Sequence, residues 1–296
     1  MEIGIDLCWC GTSVADSEII YKNINNVDIK QCSHCKTVFT SPFPTIKKTI
    51  SEIYDNDTLI KKKPDTWEVY CDYARFNISD FSDYKDKKVL DIGPGGGETL
   101  FLLKEKGAQT FALEINPQLI NYLRNEGYIV YNNINDVQDN FFDYIFMTMV
   151  LEHIQNPLEY LTVIRNKLRP NGIIRINVPY FFGTQRKIFK RHWNAYCPDE
   201  HFWFFSLDSL RLLLDKSNLK IQSYRQDSLG KNIDKKGKIR YSGFSSFFNS
   251  LDNKSMIRLS KFIGFIDNKT NGRLGDFIRG VWNKTGDQLT VLCQKK

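Results

Sequence analysis

No apolar run in this sequence approaches the roughly 18–20 residues that a membrane-crossing helix needs. The N-terminus lacks a basic segment followed by an apolar one, so a secretory leader is not expected. Lysine and arginine exceed the acids by 7, but they are scattered, with small clusters at Lys61-Lys62-Lys63 and Lys235-Lys236. A nucleic-acid binder usually gathers its basic residues into a stripe. Without one, DNA is not expected as a partner and RNA is disfavoured. The seven cysteines do not read as a disulfide framework in a chain this long without a leader, so a reducing, cytoplasmic setting is expected. Two nucleotide signatures are also missing. No Gly-Lys-Ser/Thr ending of a phosphate loop occurs. The dinucleotide spacing G-x-G-x-x-G fails because its third glycine falls at Glu98.

What is present fits a soluble globular protein, with 42% hydrophobic and 25% charged residues. The chain is organised around Lys88-Val89-Leu90-Asp91-Ile92-Gly93-Pro94-Gly95-Gly96-Gly97-Glu98-Thr99. This stretch reads as an apolar strand with an acid near its end, a glycine-rich turn and a helix start. Glycines let backbone approach a ligand closely, and a helix N-terminus offers unpaired N–H groups. A second strand, Thr110–Leu113, ends at Glu114, about twenty residues beyond the turn, where a carboxylate can accept from both hydroxyls of a ribose. Asn116-Pro117 caps and starts the next helix. Tyr128–Tyr131 and the nearly continuous apolar run Phe142–Val150 read as further strands, the latter buried on both faces. Leu158, Leu161, Ile164 and Leu168 mark one helix face. Strands alternating with helices predict an α/β, doubly wound, mostly parallel sheet, whose ligands sit at the carboxyl ends of the strands.

The spacing D-x-G-x-G-x-G, the segment Leu151-Glu152-His153, the turn Leu168-Arg169-Pro170-Asn171-Gly172 and the following Ile176-Asn177-Val178-Pro179 resemble the class I S-adenosylmethionine-dependent methyltransferases. The likeness covers residues 86–228 and a closing strand at Gln288–Gln294. It implies a Rossmann-like sheet of seven strands and S-adenosylmethionine as cofactor. Asp91 would lie near the cofactor's amino-acid part, with Gly93, Gly95 and Gly97 along its methionine and ribose. Glu114 would hold the ribose, Asn133 and Ile134 would face the adenine, and Met149, at the end of the fourth strand, would be a further cofactor contact. Helices before the core, including one around Ile46–Tyr54 and one around Trp67–Phe81, would cover the pocket, through Tyr70 or Tyr73.

Methyl transfer depends heavily on positioning, and a base is needed only where the acceptor must lose a proton. His153 is the first candidate base, with packing as the alternative. His192, Tyr196 and His201 lie in the aromatic segment 191–205 after the fifth strand, where a substrate loop belongs. An aromatic roof without proton transfer is the other reading of that segment. The acceptor is expected to be a small molecule, with a sugar or nucleotide-linked sugar of a surface-polysaccharide pathway suggested by resemblance. The alternatives are ribosomal RNA methylation and a non-catalytic, partner-binding module.

Cys8-Trp9-Cys10 and Cys32-Ser33-His34-Cys35 form two close pairs. Four thiolates from two tight turns can surround a tetrahedral Zn2+, so Cys8, Cys10, Cys32 and Cys35 are the expected ligands of a structural zinc ribbon. His34 is a weaker substitute, and free cysteines are the plain alternative. The domain expectation is a ribbon over 1–45, a helical linker and cofactor cover over 46–87, and a cofactor-binding domain over 88–296. That last domain carries a helical insertion at about 229–285, read as core packing, lid, dimer face or membrane-surface contact. Oligomeric state is left open.

Overall fold

The computed structural model describes residues 7–44, 64–183, 186–187, 190–193, 195–227, 231–233, 239–241 and 288–296. The helices expected around 46–54 and within 242–285 lie outside these residues. The chain divides into two compact units, each described by itself.

One unit combines residues 1–44 with 178–210 and 225–290. Its sheet follows the order β1-β2-β3-β9, with β1 Glu18–Ile24, β2 Val27–Gln31, β3 Val38–Ser41 and β9 Trp203–Phe204. Each neighbouring pair is antiparallel. The register Val38↔Phe204 and Phe39↔Trp203 fastens the distant segment to the N-terminal strands. The Thr40 hydroxyl adds to this, donating to the His201 carbonyl at 2.8 Å. Ile24, Ile29, Val38, Phe181, Trp193, Tyr196 and Phe204 form its core. Thus the ribbon is not closed by residues 1–45 alone, and the aromatics expected in a substrate loop supply much of its hydrophobic interior. Their apolar rings gain more by leaving water than by lining an open loop. A short antiparallel hairpin, β11 Lys231–Ile233 with β12 Ile239–Tyr241, was not anticipated within the insertion.

The second unit, residues 45–177, 211–224 and 291–296, holds most of a seven-stranded sheet. Its strands are β4 Lys88–Ile92, β5 Gln109–Leu113, β6 Ile129–Tyr131, β7 Phe142–Thr148, β8 Leu168–Pro179, β10 Leu219–Asp227 and β13 Gln288–Lys295. The order is β10-β13-β8-β7-β4-β5-β6, and the pairs β4/β5, β4/β7, β5/β6 and β7/β8 are parallel. Chain order reverses direction at β4, which makes the β4/β7 crevice the topological switch point. The helices are α1 Pro64–Ile78, α2 Glu98–Glu105, α3 Pro117–Asn125, α4 Pro157–Lys167 and α5 Leu207–Lys216.

Three local features explain these elements. Asn116 caps α3 with Oδ1 accepting from the N–H groups of Gln118 and Leu119, and Pro117 takes the first helical position. The run Arg169-Pro170-Asn171-Gly172 sits inside β8 as an irregularity, since pairing steps from Phe142↔Leu168 to Tyr144↔Ile173. Helix α2, expected to be buried nearly all round, leaves Phe101 39% exposed, with its ring set edge-on to Trp67 of α1 at 6.0 Å. Among the described residues no helix is long and apolar enough to cross a membrane.

Candidate active site

The site grows from the carboxyl ends of β4, β5 and β7. Asp91 lies near the end of β4 and is buried. Burial pushes its carboxyl up to about 7; the Arg175 guanidinium opposes this shift and the Glu114 carboxyl adds to it. The turn beyond it places Gly93, Gly95 and Gly97 at φ values of 65°, 57° and 86°. A side chain at Gly93 would put Cβ 2.9 Å from Val150 Cγ2, so the turn packs tightly beneath the segment after β7. At Gly95 a Cβ would meet nothing within 4 Å, which leaves the cradle open to a ligand. The Gly93 N–H donates to the Leu113 carbonyl at 2.9 Å and ties the turn to β5.

Glu114 follows β5 and is buried. Its Oε1 accepts from the N–H groups of Ile115 and Asn116 at 2.8 and 2.9 Å, which fixes the carboxylate at the head of α3. Burial raises its pKa, and the two backbone bonds work against that rise. The next residue, Ile115, is an exposed large apolar side chain. Its signal in the sequence is an apolar residue directly after the acid that follows β5. Asn133 uses its own Oδ1 to accept from the Asn135 N–H at 2.9 Å, opening the short turn Ile134–Asp136. Ile134 is half-buried there. Met149 stands just after β7 at φ 55°, and its N–H donates to the Asn177 carbonyl at 2.8 Å. A non-glycine residue in the left-handed region is strained and tends to mark a functional turn. Asp91, the glycine turn, Glu114, Asn133, Ile134 and Met149 are thus gathered at one end of one sheet, beside the switch point.

His153 ends the short turn Leu151–His153 and is half-buried. Its neighbour Glu152 is wholly buried, and neither of its oxygens has a hydrogen-bond partner. Burial pushes that carboxyl up to about 8. The sequence reading treated Glu152 only as part of a signature. From the helical cover, the Tyr73 hydroxyl donates to Asn177 Oδ1 at 3.3 Å, while Tyr70 is exposed.

The remaining candidates belong to the ribbon unit. Tyr196 is 5% exposed, edge-on to Trp193 and Phe204, and burial raises its pKa. His201 is 6% exposed, and its Nδ1 lies 2.8 Å from the Ala195 carbonyl, so that nitrogen is the donor. His192 ends the turn Lys190–His192; its side chain lies outside the described residues. The same unit brings Cys8, Cys10, Cys32 and Cys35 together with all four sulfurs within 4.8 Å of one another. Cys8 and Cys35 are 3.5 Å apart, and Cys10 and Cys32 3.6 Å apart. Tetrahedral zinc with bonds of about 2.3 Å requires sulfurs about 3.8 Å apart, so the donor set fits that ion. His34 is exposed and is not among the group.

Residues 69–224 match the family model described as a methyltransferase domain. The chain is 29% identical over 143 residues to a tRNA U34 carboxymethyltransferase of Geobacter sp. (strain M21), covering 44% of each chain. It is 27% identical over 100 residues to the mitochondrial ubiquinone biosynthesis O-methyltransferase of Schizosaccharomyces pombe, covering 30% of this chain and 36% of that one. The matches therefore span less than half the length of these curated relatives. In fold, the chain is similar to a SAM dependent methyltransferase from Archaeoglobus fulgidus, with a TM-score of 0.50 and 15% identity over 81% of this chain and 97% of that one. It is also similar to a chain of the Haloferax volcanii complex of the Trm112 methyltransferase activator with a methyltransferase, with a TM-score of 0.52 at the same identity and coverage. With its reversed-order sheet, its glycine cradle at the switch point and more than half its length matching one family model, the chain belongs to the methyltransferase domain family.

Proposed function

We propose that this enzyme transfers a methyl group to a hydroxyl of a small-molecule acceptor, with His153 as the base. The observation that carries the reading is the position of His153 directly after β7, beside the crevice that Asp91, Gly95 and Glu114 flank. When bound, the cofactor supplies a methyl group on a sulfonium, a strongly activated leaving group. Glu114, already oriented by its two backbone N–H contacts, would hold the ribose hydroxyls. Asp91 would hold the cationic amino end of the cofactor. Gly93, Gly95 and Gly97 would let backbone approach its methionine and ribose, Asn133 and Ile134 would hold the adenine, and Met149 would line the site after β7. His153 would accept the proton that the acceptor hydroxyl loses on methylation. Such base assistance is worth about 10²–10⁴ in rate.

Tyr196 takes a structural role in this reading because it is buried in the aromatic core of its unit, and His201 does so because it is buried with Nδ1 committed to the Ala195 carbonyl. Cys8, Cys10, Cys32 and Cys35 would hold one structural zinc, since four protein ligands leave no position open for chemistry. Within the small-molecule class we keep a sugar or nucleotide-linked sugar as the first acceptor to test. A second reading, an RNA acceptor, is favoured by the likeness to tRNA U34 carboxymethyltransferases. Transfer of radiolabelled methyl from S-adenosylmethionine to a panel of nucleotide sugars and to bulk tRNA separates the two. Label on a sugar that is lost in His153→Ala supports the first. Label on tRNA alone overturns it.

A further inference from the structure

Arg175 is a fully buried guanidinium in the middle of β8, and nothing in the cofactor chemistry above uses it. Taking an isolated cation out of water is costly unless it is paired and hydrogen-bonded. Arg175 meets that requirement with three directed bonds. Its Nε donates to Asp80 Oδ2 at 2.7 Å, Nη2 to Asn77 Oδ1 at 2.8 Å, and Nη1 to Thr148 Oγ1 at 3.2 Å. Asn77 lies in the last turn of α1 and Asp80 just beyond it, while Thr148 ends β7. One side chain therefore ties the end of the covering helix to the end of the strand beside the switch point.

The sheet register adds a second relationship. Arg175 is level with Phe146 on β7, and Phe146 is level with Asp91 on β4. Side chains at one level of a parallel sheet point to the same face. Arg175, Phe146 and Asp91 thus form a row across three strands, with the guanidinium 5.8 Å from the Phe146 ring centroid. Arg175 and Asp91 stand two strands apart in this row and both are buried, and charges act on one another more strongly where water is excluded. Asp91 faces two charged groups, Arg175 and the Glu114 carboxyl. Arg175 also forms an ion pair with Asp80 at 2.7 Å, and Tyr84 feels its field.

We propose that Arg175 is a positioning residue for cofactor binding: it locks the end of α1 onto the sheet and supplies the counter-charge that favours the anionic form of Asp91 for the cofactor's cationic amino end. This rests on the assignment of Asp91 under the proposed function. Without Arg175, Asp91 would share its buried site only with burial and Glu114, both of which favour the neutral carboxyl. A neutral Asp91 attracts no cation. The stored proton would then have to leave before the cofactor binds.

Calorimetric titration of the full chain with S-adenosylmethionine between about pH 5.5 and 9 tests this, each curve being read against that of Asp91→Asn, which carries the titration of the cofactor's own amine. In the wild type, affinity should rise with pH by up to tenfold per unit and then level off. Asp91→Asn should lack that rise; if it titrates like the wild type, the assignment of Asp91 fails rather than the role of Arg175. Arg175→Gln should move the midpoint upward by about one pH unit, and Arg175→Lys, which keeps the charge, should stay near the wild-type midpoint. An unchanged midpoint in Arg175→Gln, with a uniform loss of affinity at every pH, would leave only a packing role and overturn the proposal. So would Arg175→Lys shifting as far as Arg175→Gln. Asp80→Asn keeps the test open if the Arg175 variants do not fold. Removing that competing anion strengthens the field of Arg175 at Asp91, so the midpoint should fall, and a rise or no change contradicts the proposal.

Discussion

Oε1 of Glu152 lies 3.9 Å from Nε2 of His153, and the carboxyl it belongs to is wholly buried. That distance is too long for a hydrogen bond, so burial dominates the state of the acid, with the residue's own backbone N–H opposing it. In the folded chain Glu152 holds its proton up to about pH 8, against an ordinary value of 4.5. A raised carboxyl pKa contributes stability that is complete below pH 4.5 and is lost as pH rises towards 8. Glu152→Gln removes that titration. We expect urea unfolding to show the wild type losing roughly 2–4 kcal/mol between pH 5.5 and 8 from this group, and the variant losing correspondingly less. Parallel pH curves for the two proteins would show that Glu152 is not the buried acid responsible.

His153 should matter to turnover and little to cofactor affinity. Replacing it with alanine is expected to lower kcat by about 10²–10⁴ with a hydroxyl acceptor, while the dissociation constant for S-adenosylhomocysteine changes by less than about threefold. The paired measurement is steady-state kinetics and product titration on one preparation. Full activity in the variant would return His153 to a packing role.

The four-cysteine cluster should carry one zinc per chain, measurable by elemental analysis. Cys32→Ser is expected to abolish the metal. Because β3 pairs with β9 next to this cluster, chelation should also expose the buried Trp203. A red shift of tryptophan emission that tracks zinc release is the predicted signal. Metal-free protein with unchanged emission and unfolding temperature would mean that the cysteines act only as packed thiols.

Gly97 sits at φ 86° ahead of α2, and a Cβ there would lie 3.0 Å from Leu123 Cδ2. Gly97→Ala therefore meets backbone strain and a side-chain clash together. We expect a stability loss of about 1–3 kcal/mol by chemical denaturation and weaker cofactor binding. A variant as stable as the wild type would show that the turn relaxes.

The parts of this molecule that were legible in the sequence are those set by short-range pattern. Lys88–Thr99 announces strand, turn and helix within a dozen positions, and the apolar run Phe142–Thr148 has the composition of a strand buried on both faces. The cysteine pairs announce their own meeting because each pair is local. What escaped was set by partners far apart in the chain. Nothing near Val38 signals that Phe204 will pair with it, so the local pattern shows no fourth strand beside residues 18–41, and Trp193, Tyr196 and Phe204 have the look of a loop. Arg175 looks like an ordinary polar position within an apolar strand, because Asp80, which neutralises it, and Asn77, which accepts from it, lie almost a hundred residues earlier, at and just beyond the end of α1. Glu152 was obscured by the familiarity of its setting: a signature invites recognition as a whole, and the burial of one member shows only in three dimensions.

The most direct test of the account is calorimetric titration of the folded chain with S-adenosylmethionine and S-adenosylhomocysteine, beside Glu114→Ala. The account predicts micromolar binding of both ligands by the wild type, and a loss of at least about tenfold in the variant, since each hydrogen bond to a charged group is worth roughly 1.5–3 kcal/mol. Absence of binding by folded wild-type protein, or equal binding by Glu114→Ala, would contradict the placement of the cofactor at the ends of β4 and β5.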